Sequence, residues 1–273
     1  MSEKIEKVVS EVVAEFPFEN YMIRNGRVRD SYFNIAKTVV RFLDKGATVL
    51  DFGAGPCDIT AVISNLGYKC YAVDDLSDGW HGYGDNYKKI SSFVSSVGIE
   101  FIESDGTDLP FNDSMFDMIM LHDVIEHFHE SPRLILNKLL RLLKPGGLIF
   151  ITVPNAGNIR KRIELLVGGT NYPRFDTFFW SPGVWRGHVR EYVKSDLSLL
   201  SQYLSLETVE LRGIDNMLQK VPGNFVKPYL FVTKYMDGFK DSWSYIGKKP
   251  LSWDPDKVLR EGCLDQELKE YKY

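Results

Sequence analysis

The sequence predicts an α/β fold, a doubly wound and mostly parallel sheet with helices on both faces. Three observations carry that expectation. From residue 47 onward short apolar runs alternate with helical patterns, the rhythm of successive β-α units. Each run is apolar at consecutive rather than alternate positions, as a strand covered on both faces requires. The first run, VLDF, breaks into the glycine turn at 53–55, and the second ends in Asp74 and Asp75 roughly 20 residues further on, the spacing of a nucleoside-binding unit.

The elements follow in order. Residues 3–15 and 29–43 read as helices, and in the second Tyr32, Ile35, Ala36, Val39, Val40 and Leu43 form an apolar stripe at helical spacing. A strand at 47–52 precedes a helix from Asp58 to Leu66, which Gly67 closes. A strand at 69–75 leads through the polar, glycine-rich SDGWHGYGDN to a helix ending near Val97. A strand at 99–104 is followed by the loop DGTDLPF. The strand at 116–122 feeds a helix over 124–143 that KPGG ends, and a strand at 148–153 stops at Pro154-Asn155. The alternation lapses over 156–190, an aromatic and basic insertion. It resumes with a helix at 193–204, a strand at 206–214, a helix near 217–237 and a strand at 241–250. The expected organisation is an N-terminal helical cap at 1–45, one domain at 46–250 with its insertion, and a polar tail at 251–273 draped over the surface.

A chain of 273 residues suffices for one sizeable α/β core with additions. Its net charge of −4 argues against a non-specific nucleic-acid binder. No apolar run approaches the ~18 residues of a membrane span. The charged, amphipathic start MSEKIEKVVSEVVAEF is unlike a signal peptide. Cys57, Cys70 and Cys263 are too widely spaced for a disulfide framework or a zinc site. A cytoplasmic protein is expected, with no nucleic-acid or membrane partner. Trp253 in the tail is free to pack on the insertion or on a second subunit, which leaves a homodimer open.

The turn chemistry narrows the ligand. A carboxylate at the end of the second strand can accept both hydrogen bonds of a ribose diol, and the glycines let backbone pass close to it. A pyrophosphate would want a third glycine and free N–H groups at the helix start. The chain instead has Pro56, which removes a donor, Cys57, and Asp58, which adds a negative charge there. A phosphate-free nucleoside carrying a sulfonium and an ammonium suits the turn better. The chemistry favours S-adenosylmethionine over NAD.

Five ordered segments, VLDFGAG, AVDD, SDGTDLPFNDSMFDMIMLHDVIEHF, LLRLLKPGGLIFITVPN and GHVREY, resemble class I S-adenosylmethionine-dependent methyltransferases. The resemblance covers 45–155 strongly and 188–250 more loosely. It implies a seven-stranded Rossmann-like sheet whose last strand is antiparallel, with cofactor and acceptor at the carboxyl ends of the strands. The implied cofactor is S-adenosylmethionine, with S-adenosylhomocysteine as product. Asp51, Gly53, Ala54 and Gly55 would lie along its methionine and ribose, and Asp74 would take the ribose hydroxyls, with Asp75 able to share the role. Asp105 and the Gly106 backbone would read the adenine amino group, and His122 and Asp123 would stand beside the reactive methyl. Cys57 departs from the pattern, since many members carry glycine there. Taken singly, Asp51 also fits a helix cap and Asp74 and Asp75 fit solvated turn acids. Three strand-end acids on one sheet edge favour a ligand.

The run EHFHE invites a metal reading. His127 and His129, two apart, would point to different faces of a helix, and HDVIEHFH is not HExxH, so no metal site is expected. Glu126 and His127 are expected to brace the helix start against the sheet edge. His188 is the sharper candidate for chemistry. A hydroxyl acceptor needs a base, and an imidazole with a pKa of about 6.5 is poised for that task. Asp123 is the alternative base, and a His188 bonded only to loop backbone is the structural alternative.

Across the insertion and its flank, arginines and lysines outnumber acids, with Tyr172, Phe175, Phe178, Phe179, Trp180 and Trp185 interleaved. Arginine forks hold carboxylate or phosphate, and aromatic faces suit sugar rings or planar groups. Arg186, Arg190, Trp180, Trp185 and Tyr192 are therefore candidate acceptor contacts. The expected acceptor is a small anionic molecule or saccharide, methylated on oxygen in preference to nitrogen. The bland alternative is a buried aromatic cluster with a basic rim. Competing functions are an NAD-dependent oxidoreductase or epimerase, which would want the third glycine and a YxxxK pair, and an inactive nucleoside-binding partner subunit. The ligand positions of the latter would be damaged, and here Asp51, Gly53, Gly55, Asp74 and Asp105 are intact.

Overall fold

Strands that are apolar at every position need cover on both faces, and this chain supplies it with two separate helical layers. The computed structural model describes residues 2–18, 29–218 and 221–258. The helices and strands are α1 (Ser2–Glu15), α2 (Arg29–Phe42), β1 (Thr48–Phe52), α3 (Asp58–Asn65), β2 (Lys69–Asp74), α4 (Asn86–Ser96), β3 (Glu100–Glu103) and β4 (Phe116–His122). They continue with α5 (Pro132–Leu142), β5 (Leu143–Pro154), α6 (Ile159–Leu166), α7 (Phe175–Phe179), α8 (Lys194–Tyr203), β6 (Glu207–Ile214), α9 (Gly223–Thr233), β7 (Ser242–Lys248) and α10 (Pro255–Val258).

The seven strands form one sheet in the order β3-β2-β1-β4-β5-β7-β6. β1 to β5 pair in parallel, and β7 runs antiparallel between β5 and β6. The chain leaves β1 in one direction to build β2 and β3, then returns to lay β4 on the other side. That reversal opens a crevice beyond the carboxyl ends of β1 and β4. On one face Val49, Ala72, Met118 and Phe150 pack with α1 to α4, through residues such as Val12, Tyr32, Ile63 and Ile90. On the other face Leu50, Val73, Ile119 and Ile149 meet α5 and α8 through Leu136, Leu140 and Leu197. The two N-terminal helices are thus part of the core that covers the sheet.

Four details differ from the sequence reading. The helix expected over 124–143 starts only at Pro132, capped by Ser131, and Ile125–His127 forms a single 3-10 turn instead. KPGG lies inside β5, whose pairing jumps from Phe116↔Leu143 to Met118↔Leu148 across a bulge. The helix near 217–237 is confined to 223–233. The insertion folds as α6 and α7, and neither helix buries a residue. Its aromatics do not form a buried cluster: Tyr172 and Trp180 are each 78% exposed. The tail packs on its own chain as far as 258, where Trp253 Nε1 donates to the Leu204 carbonyl at 2.9 Å. Cys263 lies outside the described residues. Among those residues, no helix is long and apolar enough to cross a membrane.

The root of the insertion is held by buried polar groups. Asp241 is 3% exposed, and its carboxylate accepts from the Asn216 and Met217 amides at 2.9 Å each and from Ser242 Oγ at 2.8 Å. Its carbonyl accepts from the Asn155 amide at 2.8 Å, at the end of β5. Burial pushes the Asp241 carboxyl above its ordinary range while these bonds oppose the shift. Asp241→Ala leaves several buried donors without acceptors and is expected to cost about 2–4 kcal/mol. Urea unfolding measures the loss, which should be smaller in Asp241→Asn.

Candidate functional site at the carboxyl edge of the sheet

The turn after β1 is built on left-handed backbone. Gly53, Gly55 and Cys57 have φ of 73°, 52° and 63°. A Cβ on Gly53 would lie 2.6 Å from Val124 Cγ2, so the turn presses directly on the chain two residues past the end of β4. Only glycine meets both conditions. Cys57 holds its left-handed angle with a side chain, at a cost of about 1–2 kcal/mol. Burial, with Asp51, Asp58 and Asp74 nearby, pushes its thiol well up and keeps it neutral.

The two acids after β2 part company. Asp74 Oδ2 accepts from the Gly55 amide and Oδ1 from the Leu76 amide, both at 2.7 Å. Its carboxylate therefore lies against the glycine turn. Burial raises its pKa, and the two amide bonds and the His81 ring oppose that rise. Asp75 instead accepts from the Ser77 amide at 2.9 Å and faces Arg186 across 3.8 Å.

The other acids also find distinct environments. Asp51 is buried and accepts from Thr60 Oγ1 at 2.6 Å, which ties β1 to α3. Asp58 is fully buried and its Oδ2 accepts from the Tyr32 hydroxyl, which ties the start of α3 to α2. Asp105 is exposed and accepts from the Thr107 amide at 2.8 Å and hydroxyl at 2.6 Å, bonds that hold its carboxyl below the usual range. Beside it, a Cβ on Gly106 would fall 2.8 Å from the Phe52 ring. The loop is closed by Lys138 Nζ, which donates to the Gly106 carbonyl at 3.2 Å.

His81 is a residue that the sequence reading passed over. It is 7% exposed, and its Nε2 would lie 3.9 Å from a Cβ on Gly55. Its Nδ1 has no hydrogen-bond partner among the described residues. The available signal was a histidine inside a glycine-rich stretch just after a strand-end acid.

The end of β4 carries a second group of residues. His122 is the last residue of the strand. It is buried, its Nδ1 lies 3.0 Å from Thr152 Oγ1, and its ring packs edge-on against Phe150. Asp123 follows with φ of 56°. The Glu126 carbonyl accepts from the amides of Val189 at 2.7 Å and Arg190 at 3.2 Å, which brings the insertion back to the strand end. Glu126 is fully buried, and its Oε1 lies 4.0 Å from Nε2 of both His127 and His188. The brace expected of Glu126 and His127 therefore faces the insertion. His129 joins the same loop through the Trp185 carbonyl, 2.7 Å from its Nε2.

The expected acceptor contacts do not converge on one surface. Tyr192 is 7% exposed, and its hydroxyl donates to the Ile125 carbonyl at 3.3 Å, so it anchors the insertion. Trp185 packs on Gly187 and donates to the His188 carbonyl at 3.2 Å. Arg190 pairs with Asp196 at 3.5 Å. Arg186 and Trp180 remain exposed. A cavity of about 500 Å³, lined by Phe42, Asp117, Lys144 and Gly147, lies at the opposite, amino edge of the strands.

Residues 50–151 match a protein-family model described as a methyltransferase domain. Over 165 residues the chain is 30% identical to a demethylmenaquinone methyltransferase of Clavibacter sepedonicus, a match that covers 59% of this chain and 64% of that protein. The chain thus spans a little under two thirds of that curated relative. A SAM-dependent methyltransferase from Archaeoglobus fulgidus superposes with a TM-score of 0.54 at 17% identity, over 85% of this chain and all of that one. The cyclase SpnF superposes with a TM-score of 0.52 at 14% identity, over 80% of this chain and 82% of its own. These likenesses place the chain in the class I methyltransferase fold.

Two predictions follow the geometry of the turn. Gly53→Ala is expected to cost about 1–3 kcal/mol through the Val124 clash and the left-handed angle. Adding Val124→Ala should recover the steric part only, which a double-mutant cycle in urea resolves. For Asp74 the raised carboxyl means that the folded chain holds its proton more tightly than the unfolded chain. Stability should therefore fall as pH rises from the ordinary value of 3.8 through the folded pKa. Asp74→Asn should remove that segment of the stability-against-pH curve.

Proposed function

We propose that this chain, a class I S-adenosylmethionine-dependent methyltransferase by domain and by fold, transfers the methyl group of its cofactor to a hydroxyl oxygen of a small molecule or saccharide. The observation that carries the reading is Asp74 held against the Gly53–Gly55 turn in the crevice between β1 and β4. Each oxygen of Asp74 accepts one amide bond and keeps a lone pair for a ribose hydroxyl. Asp105, kept ionised by Thr107, accepts from the adenine amino group beside the Gly106 backbone. His81, over the turn, contributes a further polar contact to the nucleoside. Asp51 shapes the strand end through Thr60, and His122 steadies it through Thr152.

Methyl transfer is an in-line displacement. The acceptor oxygen attacks the methyl carbon, the carbon–sulfur bond breaks with its electron pair going to sulfur, and S-adenosylhomocysteine leaves. The enzyme supplies alignment and exclusion of water. The hydroxyl proton goes to His188, whose Nδ1 faces Glu191 Oε1 at 2.8 Å. That carboxylate orients the ring and leaves Nε2 to accept the proton. Asp123 is the alternative base. The grouping of imidazoles and carboxylate favours oxygen over nitrogen, because a neutral amine needs no such base to attack.

The acceptor is approached from the insertion. Arg186 and Arg190 are exposed and only loosely paired, at 3.8 and 3.5 Å, so an anionic acceptor can displace Asp75 or Asp196. A second reading rests on the exposed aromatic surface of α7 and Trp180, which favours an apolar acceptor. The relative named as a demethylmenaquinone methyltransferase is in keeping with it.

Calorimetry should show S-adenosylhomocysteine binding and NAD not binding; the reverse outcome overturns the reading. Asp74→Ala and Asp105→Ala should each weaken that binding by about 10-fold to 100-fold. His188→Ala should retain nucleoside affinity and lose roughly 10²-fold or more in turnover. Across a panel of acceptors, Arg186→Ala and Arg190→Ala should impair charged ones selectively, and equal losses on neutral ones would favour the apolar reading.

A further inference from the structure

We propose that Glu126, His127 and His188 form a binding site for one divalent transition-metal ion at the carboxyl end of β4. One ligand atom from each residue lies within 4.8 Å of the other two. The side chain of Glu126 is fully buried, while those of His127 and His188 are 39% and 33% exposed. Bond lengths near 2.0–2.2 Å require ligand atoms about 3–3.5 Å apart, so binding needs a closure of about an ångström.

The hydrogen bonds behind the cluster set the direction of each lone pair. His127 Nδ1 lies 2.9 Å from the Arg186 carbonyl, which can only accept, so Nδ1 carries the proton. His188 Nδ1 lies 2.8 Å from the Glu191 carboxylate and is likewise the protonated nitrogen. In the neutral rings both lone pairs then sit on Nε2, the atom 4.0 Å from Glu126 Oε1 in each case. The rings stand nearly perpendicular, at 82°, with centroids 5.0 Å apart. A carbonyl or carboxylate behind the far nitrogen is the support that metal-bound histidines characteristically have. Lys161, paired with the other oxygen of Glu191, fixes that support in turn.

Two imidazoles and one carboxylate suit Zn²⁺ or Mn²⁺ better than Mg²⁺, which prefers oxygen and water. Three protein ligands leave positions open for an acceptor oxygen, whose proton becomes more acidic on the ion. A bound ion would take the Nε2 lone pair that His188 otherwise offers as base, and the hydroxyl proton would then leave to water instead of to His188. This role rests on the methyl-transfer reading, whereas the site itself does not. The pairing of His127 with His188 was hidden from the sequence because the two lie 61 residues apart in the chain. The insertion brings His188 in.

The test uses the full chain, stripped with a chelator and titrated calorimetrically with zinc chloride, manganese chloride and magnesium chloride. The expected result is a single zinc ion per chain at micromolar affinity or tighter, manganese more weakly, and no competition from magnesium at equal concentration. His127→Gln and His188→Gln should each weaken zinc binding by at least about tenfold, and Glu191→Gln by about tenfold, with unchanged circular dichroism. His129→Gln should bind as the parent does. Absence of saturable one-to-one zinc binding, or unaltered affinity in both His127→Gln and His188→Gln, overturns the proposal. S-adenosylhomocysteine titrated into the same samples keeps the two readings apart, since zinc binding without nucleoside binding refutes only the methyl-transfer role.

Discussion

The contact between Gly53 and Val124 is the constraint on which the rest of the site depends. It brings the backbone at the end of β1 against Val124, two residues past β4, across the point where the strand order reverses. A side chain at Gly53 would push the two strand ends apart and carry Asp74, bonded to Gly55, away with the turn. From Val124 the chain makes one tight 3-10 turn, and the Glu126 carbonyl takes two amides of the returning insertion. Glycine turn, strand end and insertion are therefore coupled through contacts over a few residues.

Electrostatics sort the acids into different tasks. Asp74 is buried and tied to amides, Asp75 faces an arginine, and Asp105 is exposed and kept ionised by its own turn. Asp58 and Asp51 serve α2 and α3 through Tyr32 and Thr60. Residues of one type, adjacent in pattern, thus acquire different roles from the groups that surround them. A pyrophosphate at this turn is therefore disfavoured more by Pro56, which lacks a donor, than by Asp58, which accepts from Tyr32.

Much of the fold was legible because burial on both faces leaves a strong signal in short apolar runs. β4 begins and ends where FDMIMLH predicts, and the reversed strand β7 lies within the expected segment. Local backbone chemistry was harder to read. The helix expected from residue 124 waits for Ser131 and Pro132, because the chain after Asp123 is drawn into a tight turn by the insertion. KPGG resembles a helix stop but is absorbed into β5 as a bulge. The aromatic insertion resembles a buried cluster by composition and is exposed because nothing in the described chain packs over it.

By itself the sequence determined the parallel sheet, its glycine turn and the strand-end acids, since hydrophobic period and left-handed turns are encoded within a few residues. It also pointed to the carboxyl edge as the candidate site. Only the tertiary structure decided which acid meets the turn and that Tyr192 anchors rather than presents. The same holds for His81 beside Gly55 and for His188 across the buried Glu126 from His127. Those facts depend on contacts between segments far apart in the chain, where side-chain direction is set by packing and leaves no local trace.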